Sequence, residues 1–180
     1  MMAAINNLQE TIKSLQSDIQ ALKRKDTEIM ETIIQEMSDR QNRQNNLIFY
    51  NVVELQGGNT GNKQAADTEN VINILGRIMP NNSIQNIRLV KRLGKSSSTG
   101  KPAPLKVEFE TKDAVYAVLK NKYKLKEDNS PVQISTDKTA MERQHFKSIL
   151  EELKQREENG DKDLFIKYIN GNPTIAKSKK

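Results

Sequence analysis

The sequence predicts an α+β protein with three parts. These are an N-terminal parallel coiled coil, a domain with the element order β-α-β-β-α-β, and a small α+β C-terminal domain. Three observations predict this organisation. Apolar residues recur at alternating spacings of three and four over the first forty residues. From Asn45 onward, β-branched and aromatic runs alternate with amphipathic stretches. A last amphipathic stretch precedes an Asn-Gly hairpin signal. The expected boundaries are 1–44, 45–137 and 138–180.

The first segment has the heptad pattern of a helix that requires partner helices. Its a and d positions hold Ile5, Leu8, Ile12, Leu15, Ile19, Leu22, Ile29 and Ile33. A single helix cannot bury so narrow a stripe, so we expect oligomerisation through these residues. Isoleucine at a with leucine at d favours a parallel dimer. The alternative is an amphipathic helix that packs on its own domain.

The middle segment predicts four strands and two helices. The strands are expected at 47–53, 84–93, 104–110 and 131–136, and the helices at 67–79 and 113–122. Their order is that of the ferredoxin-like split unit, the fold of RNA-recognition-motif (RRM) domains. Two helices would cover one face of the sheet. Alternation along the third strand directs Leu105, Val107 and Phe109 to one face and Lys106 to the other.

The C-terminal segment predicts one helix and one hairpin. Thr139 and Glu142 have the spacing of a capping box, and the helix should run to about residue 159. Residues 164–169 and 173–175 flank Asn170-Gly171, which predicts a tight turn between two strands. A helix and a hairpin bury little surface, so we expect this part to dock on the middle domain.

The distribution of charge indicates a polyanionic partner. The net charge is +6, and no acidic residue lies between Glu69 and Glu108, whereas seven lysines and arginines do. A window of one sign on a folded segment is typical of nucleic-acid binding. The alternative is a basic face that serves solubility.

Composition argues against several classes of function. The chain has no cysteine and one histidine, which excludes a disulfide framework, a thiolate zinc site and a histidine metal cluster. Gly94, Gly100 and Lys101 lack the spacing of a phosphate-binding loop, and Pro102 stands where that loop requires Ser or Thr. No apolar run approaches the roughly 20 residues of a membrane span. We therefore expect no enzyme, metal, cofactor, small-molecule substrate or membrane partner.

The sheet should bind nucleic acid through cations rather than aromatic rings. RNA-recognition modules stack bases on aromatic side chains of the open sheet face. On the third strand, the two stacking positions hold Pro104 and Lys106. On the first strand, we expect Phe49 and Tyr50 to be core residues. Binding should then be dominated by the backbone, tolerant of sequence and sensitive to salt.

Four short stretches together resemble the first-open-reading-frame protein of LINE-type non-LTR retrotransposons. They are RQNNLIFYNVVE at 43–54, RLGK at 92–95, KPAPLKV at 101–107 and ISTD at 134–137. The resemblance implies a coiled-coil trimer with RRM-type domains. It also implies binding of single-stranded RNA and DNA, chaperoning of strand exchange and annealing, and packaging of the element's RNA into cytoplasmic ribonucleoprotein particles, with the nucleus as a further location. We expect a homotrimer, with a dimer as the alternative.

The expected contacts with nucleic acid are basic residues of the middle and C-terminal domains. They are Arg88, Lys91, Arg92, Lys95, Lys101, Lys106, Arg143 and Lys147. The last two should line the far wall of a basic cleft between these domains. The rival hypothesis is a coiled-coil adaptor whose RRM-like domain binds protein. Binding of single-stranded RNA at two salt concentrations discriminates between them.

Overall fold

A computed structural model describes residues 2–57, 59–79, 87–94, 101–169 and 171–178. These residues form a long N-terminal helix, a four-stranded antiparallel sheet with helices, and a separate two-stranded sheet. The predicted α+β class is confirmed. The chain divides into two compact units, Met1–Gln41 and Asn42–Lys180. Among the described helices, none combines the length and the apolar character that crossing a bilayer requires.

The first helix, α1, runs without interruption over Met2–Arg43. Hydroxyl groups along it are satisfied locally, since the Oγ1 atoms of Thr11, Thr27 and Thr32 each donate to the carbonyl four residues earlier. The eight predicted a and d residues are each 47–63% exposed. We call this set the α1 seam. These three hydroxyls are therefore satisfied within the helix, whereas its apolar seam stays half-exposed.

The second unit is built on a sheet with the strand order β2-β3-β1-β4. The strands are β1 Asn46–Tyr50, β2 Ile87–Arg92, β3 Leu105–Phe109 and β4 Gln133–Thr136. The helices between them are α2 Thr60–Ile78, α3 Lys112–Asn121 and the short α4 Lys124–Glu127. All three strand pairs are antiparallel.

One face of this sheet forms the hydrophobic core together with the helices. Leu47 and Phe49 of β1 are fully buried there, beside Leu105, Val107 and Phe109 of β3. The helices contribute Val71, Ile74, Leu75, Ile78, Ala114, Val115, Val118 and Leu125. The predicted alternation of β3 is therefore confirmed, and the core fixes which side chains face away from the helices.

Two element boundaries differ from the sequence prediction for identifiable reasons. Helix α2 begins at Thr60 rather than Asp67, because the Asn59 side chain caps it by accepting from the backbone N–H of Asn62 at 2.8 Å. Strand β1 ends at Tyr50 rather than at residue 53. There Asn51 has a φ of 60°, in the left-handed region that asparagine tolerates and a strand does not use.

The C-terminal helix α5 spans Ala140–Glu158, and its predicted capping box between Thr139 and Glu142 is confirmed. The predicted hairpin is confirmed as β5 Leu164–Ile169 paired with β6 Asn172–Lys177; residue 170 of its turn lies outside the described residues. Helix α5 packs mainly on this hairpin and has no buried residue. Docking on the sheet domain thus stays a prediction.

Candidate nucleic-acid interface

The sheet has a second face, directed away from α2 and α3. Because strand residues alternate, the neighbours of the core residues lie on it. We call this the outer face and define it by Asn46, Ile48, Tyr50, Leu89, Lys91, Lys106, Glu108, Gln133 and Ser135. The strand register aligns these residues in rows across the sheet.

The central row of the outer face brings two lysines together. Lys91 of β2 lies directly opposite Lys106 of β3, and Lys106 is followed in the same row by Ile48 and Ser135. Directly opposed residues in an antiparallel pair have Cβ atoms about 4.5–5.5 Å apart, and like charges in such a pair repel. This pair therefore opposes folding and creates a site of concentrated positive charge.

The one carboxylate of the outer face lies between Lys106 of that face and Arg88 of β2. Glu108 Oε1 is 3.4 Å from Arg88 Nη1, and its Oε2 is 3.8 Å from Lys106 Nζ. Lys91 takes part in no ion pair among the described residues. Arg88, Lys91 and Lys106 thus exceed Glu108 by two positive charges, and the region remains basic.

The expected core placement is right for Phe49 and wrong for Tyr50. Phe49 is completely buried, whereas Tyr50 is 39% exposed on the outer face, opposite Gln133. The two residues are adjacent in a strand, so their side chains point to opposite faces. The sequence shows this alternation but not which of the two faces the helices cover. Tyr50 is a functional candidate that the site prediction missed.

The Arg92 side chain is largely enclosed in a network of hydrogen bonds within the protein. Its side chain is 11% exposed, and Nη2 and Nε both donate to the Asp67 carboxylate, at 2.6 Å for Nη2 and 3.0–3.1 Å for Nε. Nη1 donates to the carbonyl oxygens of Val52 and Ala103, and Nη2 also donates to that of Val53. We call this set the Arg92 clamp. Every guanidinium nitrogen is engaged within the protein, so Arg92 could contact a phosphate only by giving up some of these bonds.

The predicted basic loop is described only in part. Lys101 is exposed in the segment that leads into β3. Lys95, another predicted contact, and the rest of 95–100 lie outside the described residues.

The two predicted contacts on α5 are exposed and engaged locally. Arg143 Nη1 donates to the carbonyl of Lys138 at 2.7 Å, and Lys147 Nζ is 3.8 Å from Glu151 Oε1. Nearby, Lys138 Nζ lies 4.4 Å from the Phe146 ring centroid and donates to Tyr168 Oη. Lys138 thus links α5 to the hairpin, whereas the Arg143 and Lys147 contacts stay within α5 and the segment just before it. Among the described hydrogen bonds and ion pairs, none links Arg143 or Lys147 to the outer face, so the interdomain cleft stays a prediction.

The described part of the chain holds no group of three His, Asp or Glu side chains arranged to bind a metal ion. In comparisons with known proteins, no family model matches the chain. No curated protein matches it either.

Proposed function

We propose that this protein binds single-stranded RNA and DNA through the outer face, with little dependence on base sequence. The observation that carries the proposal is the opposition of Lys91 and Lys106. Their mutual repulsion costs folding free energy, and a phosphate between them would relieve it. Arg88 extends the same cationic surface along β2.

The sheet domain fits an RRM-type module in its element order and its strand order β2-β3-β1-β4. RNA-recognition modules use the face that corresponds to the outer face. Here that face offers Tyr50 as a ring for stacking, at 39% exposure, together with Lys91 and Lys106 for phosphates. Phosphate contacts hold the strand without reading its bases, so strands can slide and exchange.

The α1 seam supports the oligomeric part of the proposal. We propose that α1 forms a parallel coiled coil, as a homotrimer or else a dimer, and that each protomer presents one outer face. Linked weak sites raise the effective concentration on one long strand. With the sequence resemblance, this suggests a nucleic-acid chaperone without ATP that packages retrotransposon RNA into cytoplasmic ribonucleoprotein particles.

Replacing both opposed lysines tests the proposal. In the double variant Lys91→Gln, Lys106→Gln, affinity for a short single-stranded RNA should depend less on salt. The magnitude of the slope of log affinity against log salt should decrease by about 1.4, since each phosphate contact contributes about 0.7. The free energy of unfolding should change by no more than a few tenths of a kcal/mol, because the loss of the repulsion and the loss of the Lys106–Glu108 ion pair oppose each other. Fluorescence anisotropy over a salt series and thermal unfolding provide the two readouts.

The matched control is Lys91→Arg with Lys106→Arg, which retains both charges and should retain the slope. An unchanged slope in the glutamine variant would show that the outer face does not bind nucleic acid. If the wild-type protein also fails to bind at low salt, the protein-binding adaptor becomes the better hypothesis.

A further inference from the structure

The helix layer carries another group of cations, on the side away from the outer face. Between Lys112 and Lys126 the chain has five lysines and one acidic residue, Asp113. Helix α3 buries Ala114, Val115 and Val118 against the core. Its opposite side therefore faces solvent, and the sheet lies between that side and the outer face.

Three residues of α3 form a continuous basic and aromatic surface. Lys112, Tyr116 and Lys120 are four residues apart, so they follow one another along the exposed side over about 12 Å of helix. We call them the α3 stripe. Tyr116 is 77% exposed, and both lysines are exposed. Neither Lys112 nor Lys120 takes part in an ion pair among the described residues.

Neighbouring lysines have other roles, which separates the stripe from its surroundings. Lys122 Nζ donates to the carbonyl of Ile134 at 3.0 Å, and Lys124 Nζ donates to that of Ile78 at 3.2 Å. Both are held against the protein, yet their charges add to the positive potential around the stripe. Asp113 is also exposed and opposes that potential, although its position in the first turn favours the helix itself.

We infer that the α3 stripe is a second binding surface for single-stranded nucleic acid. This inference rests on the proposed function and deepens it. A base would stack on the exposed ring of Tyr116, and the flanking lysines would contact the phosphates on either side. Grooves that combine cations with an aromatic ring bind single strands in this way.

The position of the stripe gives it a role in strand exchange. The outer face and the α3 stripe lie on opposite sides of one sheet domain, so two strands can be bound by one protomer without excluding each other. Annealing and exchange both require two strands near one another. A stacking site on the helix layer would supply the second strand, whereas the outer face holds the first mainly by its phosphates.

Titration of the full chain with a short single-stranded oligonucleotide tests the inference. Calorimetry should resolve two classes of site per protomer. Tyr116→Ala with Lys120→Gln should weaken the second class about tenfold or more, because a base loses its stacking partner and a phosphate its cation. These residues are exposed, so thermal unfolding should be unchanged. Tyr116→Phe should retain both classes.

Two further variants control for charge. Lys13→Gln removes one charge outside the compact unit that carries the stripe and should leave both classes intact, whereas Asp113→Asn should tighten the second class. A single class of site in the wild type, or no effect of the Tyr116 and Lys120 changes, overturns the inference. Loss of binding in the Lys91 and Lys106 glutamine variant would still support the proposed function. If only the Tyr116 and Lys120 variant loses binding, the result contradicts the outer face as a binding site and supports the α3 stripe.

Discussion

Replacing Arg92 with alanine should lower the free energy of unfolding by about 3–5 kcal/mol, the range expected when one partner of a buried ion pair is removed. The Asp67 carboxylate, 8% exposed, would lose its guanidinium. The carbonyls of Val52, Val53 and Ala103 would lose their donors as well. Because small domains are stable by only about 5–15 kcal/mol, the loss should be large in a denaturant titration followed by circular dichroism.

Two variants separate the charge of Arg92 from its geometry. Arg92→Lys retains the charge but offers donors from one nitrogen, so it should lose part of the stability. Arg92→Met with Asp67→Leu removes both charges and should recover the part of the loss that comes from the unpaired Asp67 carboxylate, but not the part that comes from the three carbonyls. If Arg92→Ala unfolds like the wild type but has a smaller salt slope for RNA binding, Arg92 contacts nucleic acid and the clamp interpretation is wrong.

Two aspartates in the α1 seam should abolish oligomerisation. Ile12→Asp with Ile19→Asp places charges at two successive a positions, where a partner helix would have to bury them. Light scattering should then give the mass of a single chain, 20.5 kDa, instead of a multiple of it. Affinity for a long single strand should fall by about 10²–10⁴, since linked sites would be lost. Affinity for a short oligonucleotide should persist.

The matched control places the same two charges outside the seam. Ser17→Asp and Gln20→Asp lie at heptad positions that face solvent in a coiled coil, so the oligomer should remain. A wild-type chain that is monomeric at micromolar concentration would contradict the coiled-coil proposal directly. The wild-type mass also decides between the trimer and the dimer.

The candidate site was less predictable than the elements that carry it. The basic window of the sequence points to Arg88, Lys91 and Lys106, and the strand register adds that Lys91 and Lys106 lie opposite each other. The same window contains Arg92, whose side chain is engaged within the protein, which composition does not reveal. A count of charges cannot distinguish a cation in solvent from one paired with a carboxylate 25 residues away, as Arg92 is with Asp67.

Local patterns in the sequence were sufficient to predict four features. These are the long helix, the alternation of β3, the capping box of Thr139 and the Asn-Gly hairpin. Each of these depends on residues close in the chain, whose preferred conformations the local pattern reflects. The partner of Arg92, the exposure of Tyr50 and the opposition of Lys91 and Lys106 were decided only by the tertiary structure. They depend on which strands pair, in which register, and on which face the helices pack. Those choices are made by the burial of the whole core rather than by any one segment.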